Sequence, residues 1–196
     1  MLAQLKKIKD LIIISESNHL FEIECKKDNV NTVLKKLKEK NFFLFDQLLD
    51  ITAVDHPSRE FRFDLIYILQ SLKNNKKLVL KTSLKENDSI ESITSIHKAA
   101  DWYERECYDL FGIEFTNHPD LRRIMTDYNF EGHPLRKDFP LTGHTEVRYD
   151  DLEKKVIYEP VKLTQEFRDF DSESPWEGMK NNLIGNDNSE VDNSKK

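Results

Sequence analysis

The sequence predicts an α+β fold: a mostly antiparallel sheet with helices packed on it, followed by a long irregular C-terminal tail. Three observations carry this. Apolar and polar residues alternate over 19–25, 61–69 and 78–84, the period of half-buried strands. Val30, Val33, Leu34 and Leu37 keep the spacing of one helical face, and a second helix-like stretch covers 99–111. All five glycines lie at or beyond Gly112, and of the six prolines only Pro57 precedes it. The chain beyond 112 is therefore broken too often for long regular elements.

Taken in order, residues 11–15 and 19–25 read as two strands joined by a turn at 15–18. Asp28 or Asn29 is placed to cap a helix reaching about Lys40. Residues 42–54 are apolar and in part strand; 61–69 is a strand with Phe61, Phe63, Leu65, Tyr67 and Leu69 on one side. Asn74-Asn75 turns the chain into a returning strand, 78–84, which presents Leu78, Leu80, Thr82 and Leu84 to the same side. Asp88 or Ser89 starts a short helix, and the longer helix at 99–111 stops at Gly112. The predicted order is β-β-α-β-β-β-α, and the short connections favour antiparallel pairing.

This divides the chain into an α+β domain over 1–112, an extended tail over 113–178 and a disordered terminus over 179–196. The tail carries aromatic residues throughout, among them Tyr128, Phe130, Phe139, Tyr149, Tyr158 and Trp176, which a disordered linker lacks. Irregular chain with an aromatic anchor every few residues is expected to lie along another protein's surface; the alternative is that it wraps its own domain. Beyond Met179, Asn, Ser, Asp and Lys dominate.

Composition excludes several function classes. Apolar residues make up 38% and charged residues 34%, so either much of the chain lies outside a core or a partner completes it. A formal net charge of −6 argues against nucleic-acid binding. No apolar run is long enough to span a bilayer. The first ten residues resemble neither a transit peptide nor a secretory signal, which implies a cytosolic protein or one made in the compartment where it works. Richness in Lys, Asn and Ile fits an AT-rich genome such as an organelle's.

The candidate site residues are charged. Glu104, Arg105, Glu106 and Asp109 form a run on the 99–111 helix. Glu104 and Glu106 point in different directions and make no acid/base pair, whereas Arg105 and Asp109, four apart, can meet. Trp102, Tyr103, Cys107, Tyr108, Leu110 and Phe111 cover most of the remaining circumference, so the helix reads as buried and its charges as structural or interface ion pairs. Arg122, Arg123, Arg136 and Lys137 are interleaved with Asp120, Asp127, Glu131 and Asp138, a pattern of salt bridges rather than a phosphate patch. Arg148 joins the same class. Cys25 and Cys107 are too few for an iron–sulfur cluster or a disulfide framework, and His118 and His133 lack the further ligands a zinc site needs. The rival from another class is a free-standing hydrolase using His118 or His133 with Asp120 or Glu131; no nucleophile or metalloprotease motif accompanies them.

The run Asp101-Trp-Tyr-Glu-Arg-Glu-Cys-Tyr-Asp-Leu-Phe-Gly112 resembles the signature of the 30-kDa-type subunit family of respiratory complex I. So do Asn117-His-Pro-Asp-Leu-Arg-Arg-Ile-Met-Thr-Asp-Tyr128 and Phe130-Glu-Gly-His-Pro-Leu-Arg-Lys-Asp-Phe-Pro-Leu-Thr-Gly143. Glu146-Val-Arg-Tyr-Asp150, the stretch from Tyr158 to Arg168 and Ser174-Pro-Trp176 extend the resemblance to about Glu177. Cys107-Tyr108 stands where Val-Trp is common in the family, and His144 where Tyr is usual. The resemblance implies a non-catalytic structural subunit of NADH:ubiquinone oxidoreductase, in the quinone-reducing module of its peripheral arm. It implies contact with the 49-kDa-type subunit and the small iron–sulfur subunits. FMN and iron–sulfur clusters belong to those partner subunits, and no cofactor to this chain. The implied location is peripheral, on the matrix side of the mitochondrial inner membrane or the cytoplasmic face of a bacterial one. Related subunits serve hydrogenase-like complexes, so the electron donor is left open.

Overall fold

A computed structural model describes residues 5, 8, 11–17, 19–163 and 165. The expectations for most of the first ten residues, for the tail beyond 165 and for the terminus at 179–196 lie outside these. The chain divides into two compact units, Met1–Glu159 and Pro160–Lys196. The main sheet and its helices belong to the first.

The expected α+β architecture is present. The strands are β1 (Leu11–Glu16), β2 (Leu20–Cys25), β3 (Gln47–Asp55), β4 (Phe63–Ser71) and β5 (Lys76–Leu84), forming one sheet in the order β1-β2-β5-β4-β3. The β3–β4–β5 meander is antiparallel, and β4 pairs with β5 without a register break from Phe63↔Leu84 to Ser71↔Lys76. One pairing departs from the expected antiparallel pattern: β2 lies parallel to β5, with Phe21 opposite Leu78 and Ile23 opposite Leu80. The long connection from β2 to β5, which runs through helix α1 (Val30–Glu39), β3 and β4, permits this, since parallel neighbours need a crossover.

Because side chains alternate, the strands bury one face: Phe21, Ile23 and Cys25 beside Leu78, Leu80, Thr82 and Leu84, then Phe63, Leu65, Tyr67 and Leu69 beside Ile51 and Ala53. Phe61 precedes β4 and is exposed rather than aligned with this face. The helices cover the face. Val30, Val33, Leu34 and Leu37 of α1 enter the core at the predicted spacing. Asn29 occupies the N-cap position but makes no side-chain cap bond, because a 3-10 turn at Lys27–Asn29 leads into the helix instead. Asn75 turns β4 into β5 with φ 49°, a conformation asparagine tolerates, while Asn74 donates to the Phe43 carbonyl at 2.8 Å.

The expected helix at Asp88–Ser89 is absent. Ser89–Glu91 is a strand, β6, pairing in parallel with β7 (Glu114–Thr116) on the far side of α2 (Ala100–Phe111) in sequence. Three residues carry too little periodicity to separate the two states; the partner strand decides. A hairpin of β8 (Thr145–Asp150) and β9 (Lys155–Pro160) follows the irregular segment. Residues 113–159 share the compact unit of residues 1–112. Among the described residues no helix is long and apolar enough to cross a membrane.

Candidate functional site

Helix α2 presents its core stripe, Ala100, Cys107 and Phe111, at intervals that keep one side toward the sheet, where the Cys107 thiol lies 3.3 Å from the Ile51 carbonyl. Trp102 points the other way and is 61% exposed, so the helix is not apolar all round as its composition suggests. Asp109, two residues beyond Cys107, also lies away from the sheet, yet it is fully buried. What buries it is the strap at residues 117–139.

The Asp109 carboxylate accepts the backbone N–H groups of Ile124, Met125 and Thr126 at 3.0, 2.7 and 2.8 Å, and the Thr126 hydroxyl at 2.5 Å. Arg123 pairs with it at 2.8 Å and donates onward to the Gly132 carbonyl. Burial alone would push this carboxyl up; the four bonds from residues 124–126 outweigh it and hold the pKa at about 2. Arg105 does not meet Asp109. It stacks over Trp102 and donates to the carbonyls of Arg122 and Arg123, the same strap from a second direction.

The strap then caps the helix. The last four carbonyls of an α-helix have no partner within it. Here Gly112 N–H takes that of Tyr108, His133 Nδ1 that of Asp109 at 2.8 Å, Leu135 N–H that of Leu110 and Arg136 Nε that of Phe111 at 2.6 Å. Arg136 also lies 3.2 Å from Glu86 and over the Phe63 ring, placing a cation at the negative end of the helix dipole. Gly112 adopts φ 75°, and an added Cβ would lie 2.5 Å from the Arg136 guanidinium.

A buried pair not singled out from the sequence anchors the strap's end. Asp55 and Arg62 meet through two bonds of 2.8 and 3.0 Å; Arg62 reaches Asp138, and Lys137 N–H donates to Asp55. The signal lies in the strand pattern: Asp55 closes the inward series Ile51, Ala53, and a carboxylate at a core position demands a buried donor.

Glu104, fully buried on α2, takes the Ser92 hydroxyl at 2.6 Å and Ile93 N–H at 2.8 Å, fixing the segment after β6. His118 Nε2 lies 3.7 Å from it and 3.2 Å from Asp101. Burial raises the Glu104 carboxyl to about 7 against those two donors. Glu106 is half-buried. Arg122 is exposed and pairs with Asp120 at 2.8 Å; Arg148 bridges Glu159 at 3.1 Å and Asp150 at 3.6 Å within the β8–β9 hairpin. His118 and His133 spend their Nδ1 atoms on backbone groups, and His118 meets Asp120 through its N–H rather than its carboxylate. Among the described residues no group of three His, Cys, Asp or Glu side chains is placed to hold a metal ion.

The fold has a counterpart in a respiratory membrane complex. The solved structure of the membrane-bound sulfane sulfur reductase, an archaeal respiratory membrane complex, contains a chain that matches with a TM-score of 0.63 at 27% identity, over 71% of this chain and 84% of that one. Residues 23–145 match the family described as respiratory-chain NADH dehydrogenase, 30 Kd subunit. The C subunit of the NADH-quinone oxidoreductase of Cereibacter sphaeroides is 57% identical over 143 residues, covering 73% of this chain and 72% of the relative. That of Paramagnetospirillum magneticum is 54% identical over 169 residues, covering 85% of each. The chain belongs to the respiratory-chain NADH dehydrogenase 30 kDa subunit family.

Proposed function

We propose that this chain is a non-catalytic structural subunit of a proton-pumping NADH:quinone oxidoreductase, needed to assemble and stabilise the quinone-reducing module of its peripheral arm. The observation that carries the reading is the division of labour along the strap. Its buried polar contacts run to its own helix and sheet, whereas Met125, Tyr128 and Leu135 stand exposed. Apolar side chains held outward on a segment fixed from behind are surface offered to a neighbour. The neighbours are the 49-kDa-type and small iron–sulfur subunits, which with the other partner subunits carry the FMN and iron–sulfur clusters. This chain contributes no cofactor ligand and no catalytic residue to the hetero-oligomer. It sits peripherally, on the matrix side of the mitochondrial inner membrane or the cytoplasmic face of a bacterial one.

The fold match to an archaeal sulfane sulfur reductase complex favours a second reading, in which the same docking role serves a complex with another electron donor. Purifying the tagged chain under mild detergent tests both. Recovery with flavin- and cluster-bearing subunits that oxidise NADH supports the first. Recovery with hydrogenase- or sulfur-reductase-type subunits selects the second. Recovery of the chain alone from membranes that retain NADH:quinone activity sinks both.

A further inference from the structure

Between the strap and the β8–β9 hairpin lies a cavity of about 650 Å³ that none of the contacts above uses. Its walls are aromatic. Phe139 packs against Phe130 with centroids 5.7 Å apart and against His144 at 5.6 Å, while Tyr128 and Tyr158 stand 79% and 63% exposed at its opening. The wall is closely built: an added Cβ on Gly132, at φ 94°, would lie 2.9 Å from the Phe139 ring. Two carboxylates line the same space, Asp127 and Glu131, and no lysine or arginine does. Tyr158 donates its hydroxyl to Asp127 at 3.0 Å, a neutral donor that leaves the charge in place. Among the described residues neither carboxylate is in an ion pair, although their neighbours Arg122, Arg123 and Arg136 all are.

We infer that this cavity receives an arginine side chain presented by a polypeptide of a partner subunit. The inference rests on the docking role proposed above. Aromatic faces carry negative potential and attract cations, and two unneutralised carboxylates in the same wall add to it. Arginine suits the site better than lysine, because a planar guanidinium stacks on a ring while its edge donates to a carboxylate. A polypeptide suits it better than a free amine, because exposed Met125 and Leu141 flank the lining segments along the chain and would remain uncovered by a small ion.

The test places a photo-crosslinking phenylalanine derivative at Asn129, a lining residue, in the full chain within its assembled complex. The expected product joins Asn129 to a peptide of another subunit with an arginine at or beside the linked residue. Its yield should fall about fivefold in the Asp127→Asn, Glu131→Gln variant, as for loss of two exposed charge pairs, with assembly retained. Linkage to a segment without arginine, linkage to residues 164–196 of this chain, or no linkage in an assembled complex overturns the inference and leaves the docking role standing. If no complex is recovered even with the unaltered chain, the docking role fails, and the lone full chain decides the cavity. Acetyl-arginine amide should then shift the Tyr128 and Tyr158 ring resonances, acetyl-citrulline amide should not, and equal responses to the two refute a cation site.

Discussion

At the residue scale, Asp109 concentrates the largest consequences in the fewest atoms. One carboxylate on the outer side of α2 organises four consecutive residues of the strap. Its pKa is lowered from 3.8 to about 2, so its contribution to stability is fully present above pH 4 and is lost as pH falls toward 2. Asp109→Asn should cost about 3 kcal/mol, since it removes the charge facing Arg123 and turns an amide N–H₂ toward backbone donors. Urea unfolding at pH 7 and pH 3 measures this; the difference between variant and parent should shrink at the lower pH. Glu104 has the opposite sign. Its carboxyl is raised from 4.5 to about 7, so the folded state holds a proton the unfolded state releases, and its contribution declines as pH rises from about 4.5 to 7. Glu104→Gln keeps the shape without the charge and should gain on the parent between pH 5 and pH 8, read from paired thermal melts. The sequence shows that charges on this helix need partners, because their neighbours are apolar. It does not show which partners. Spacing alone pairs Arg105 with Asp109, whereas the strap offers Asp109 three aligned N–H groups that no i,i+4 rule foresees.

At the scale of elements, legibility follows the distance over which the determining contacts act. The alternation of β4 and β5 and the stripe of α1 are local, and all three elements lie close to where the pattern puts them. The parallel seating of β2 against β5 depends on a partner about 55 residues away, which no local period encodes. For the same reason β6 is misread as the start of a helix, its partner β7 lying beyond α2. Gly112 is a position where local and distant demands coincide. It must take φ 75° to end the helix, and it must lack a Cβ so that Arg136 and His133 can reach the helix end. Gly112→Ala should therefore cost more than a helix stop alone, about 2 kcal/mol, because the cap contacts shift as well. Limited proteolysis should show faster cleavage within residues 120–139, while the amides of the β4–β5 ladder keep their hydrogen-exchange protection.

At the scale of the whole molecule, adjacent arginines separate folding from assembly. Arg123 is tied to Asp109 inside the chain; Arg122 is exposed, and among the described residues its guanidinium pairs with Asp120. Arg123→Glu sets two carboxylates together and should destabilise the lone chain by about 4 kcal/mol. Arg122→Glu should leave its melting unchanged and lower the amount of assembled complex on a native gel, with turnover per assembled complex unaffected. Normal assembly with slow turnover would assign Arg122 to the chemistry instead and contradict the docking role. The sheet order carries a different consequence, for synthesis on the ribosome. The chain emerges from its N-terminus, and β1–β2 alone is a two-stranded ribbon with little stability of its own. The seat for β2 is β5, whose last residue is Leu84, and the β3–β4–β5 meander must form before β2 can dock. Throughout that interval the apolar Phe21, Ile23 and Cys25 and one unpaired strand edge face solvent. A nascent chain stalled short of Leu84 is thus a natural client for chaperones, and rare codons placed after Leu84 would be better tolerated than rare codons placed before it.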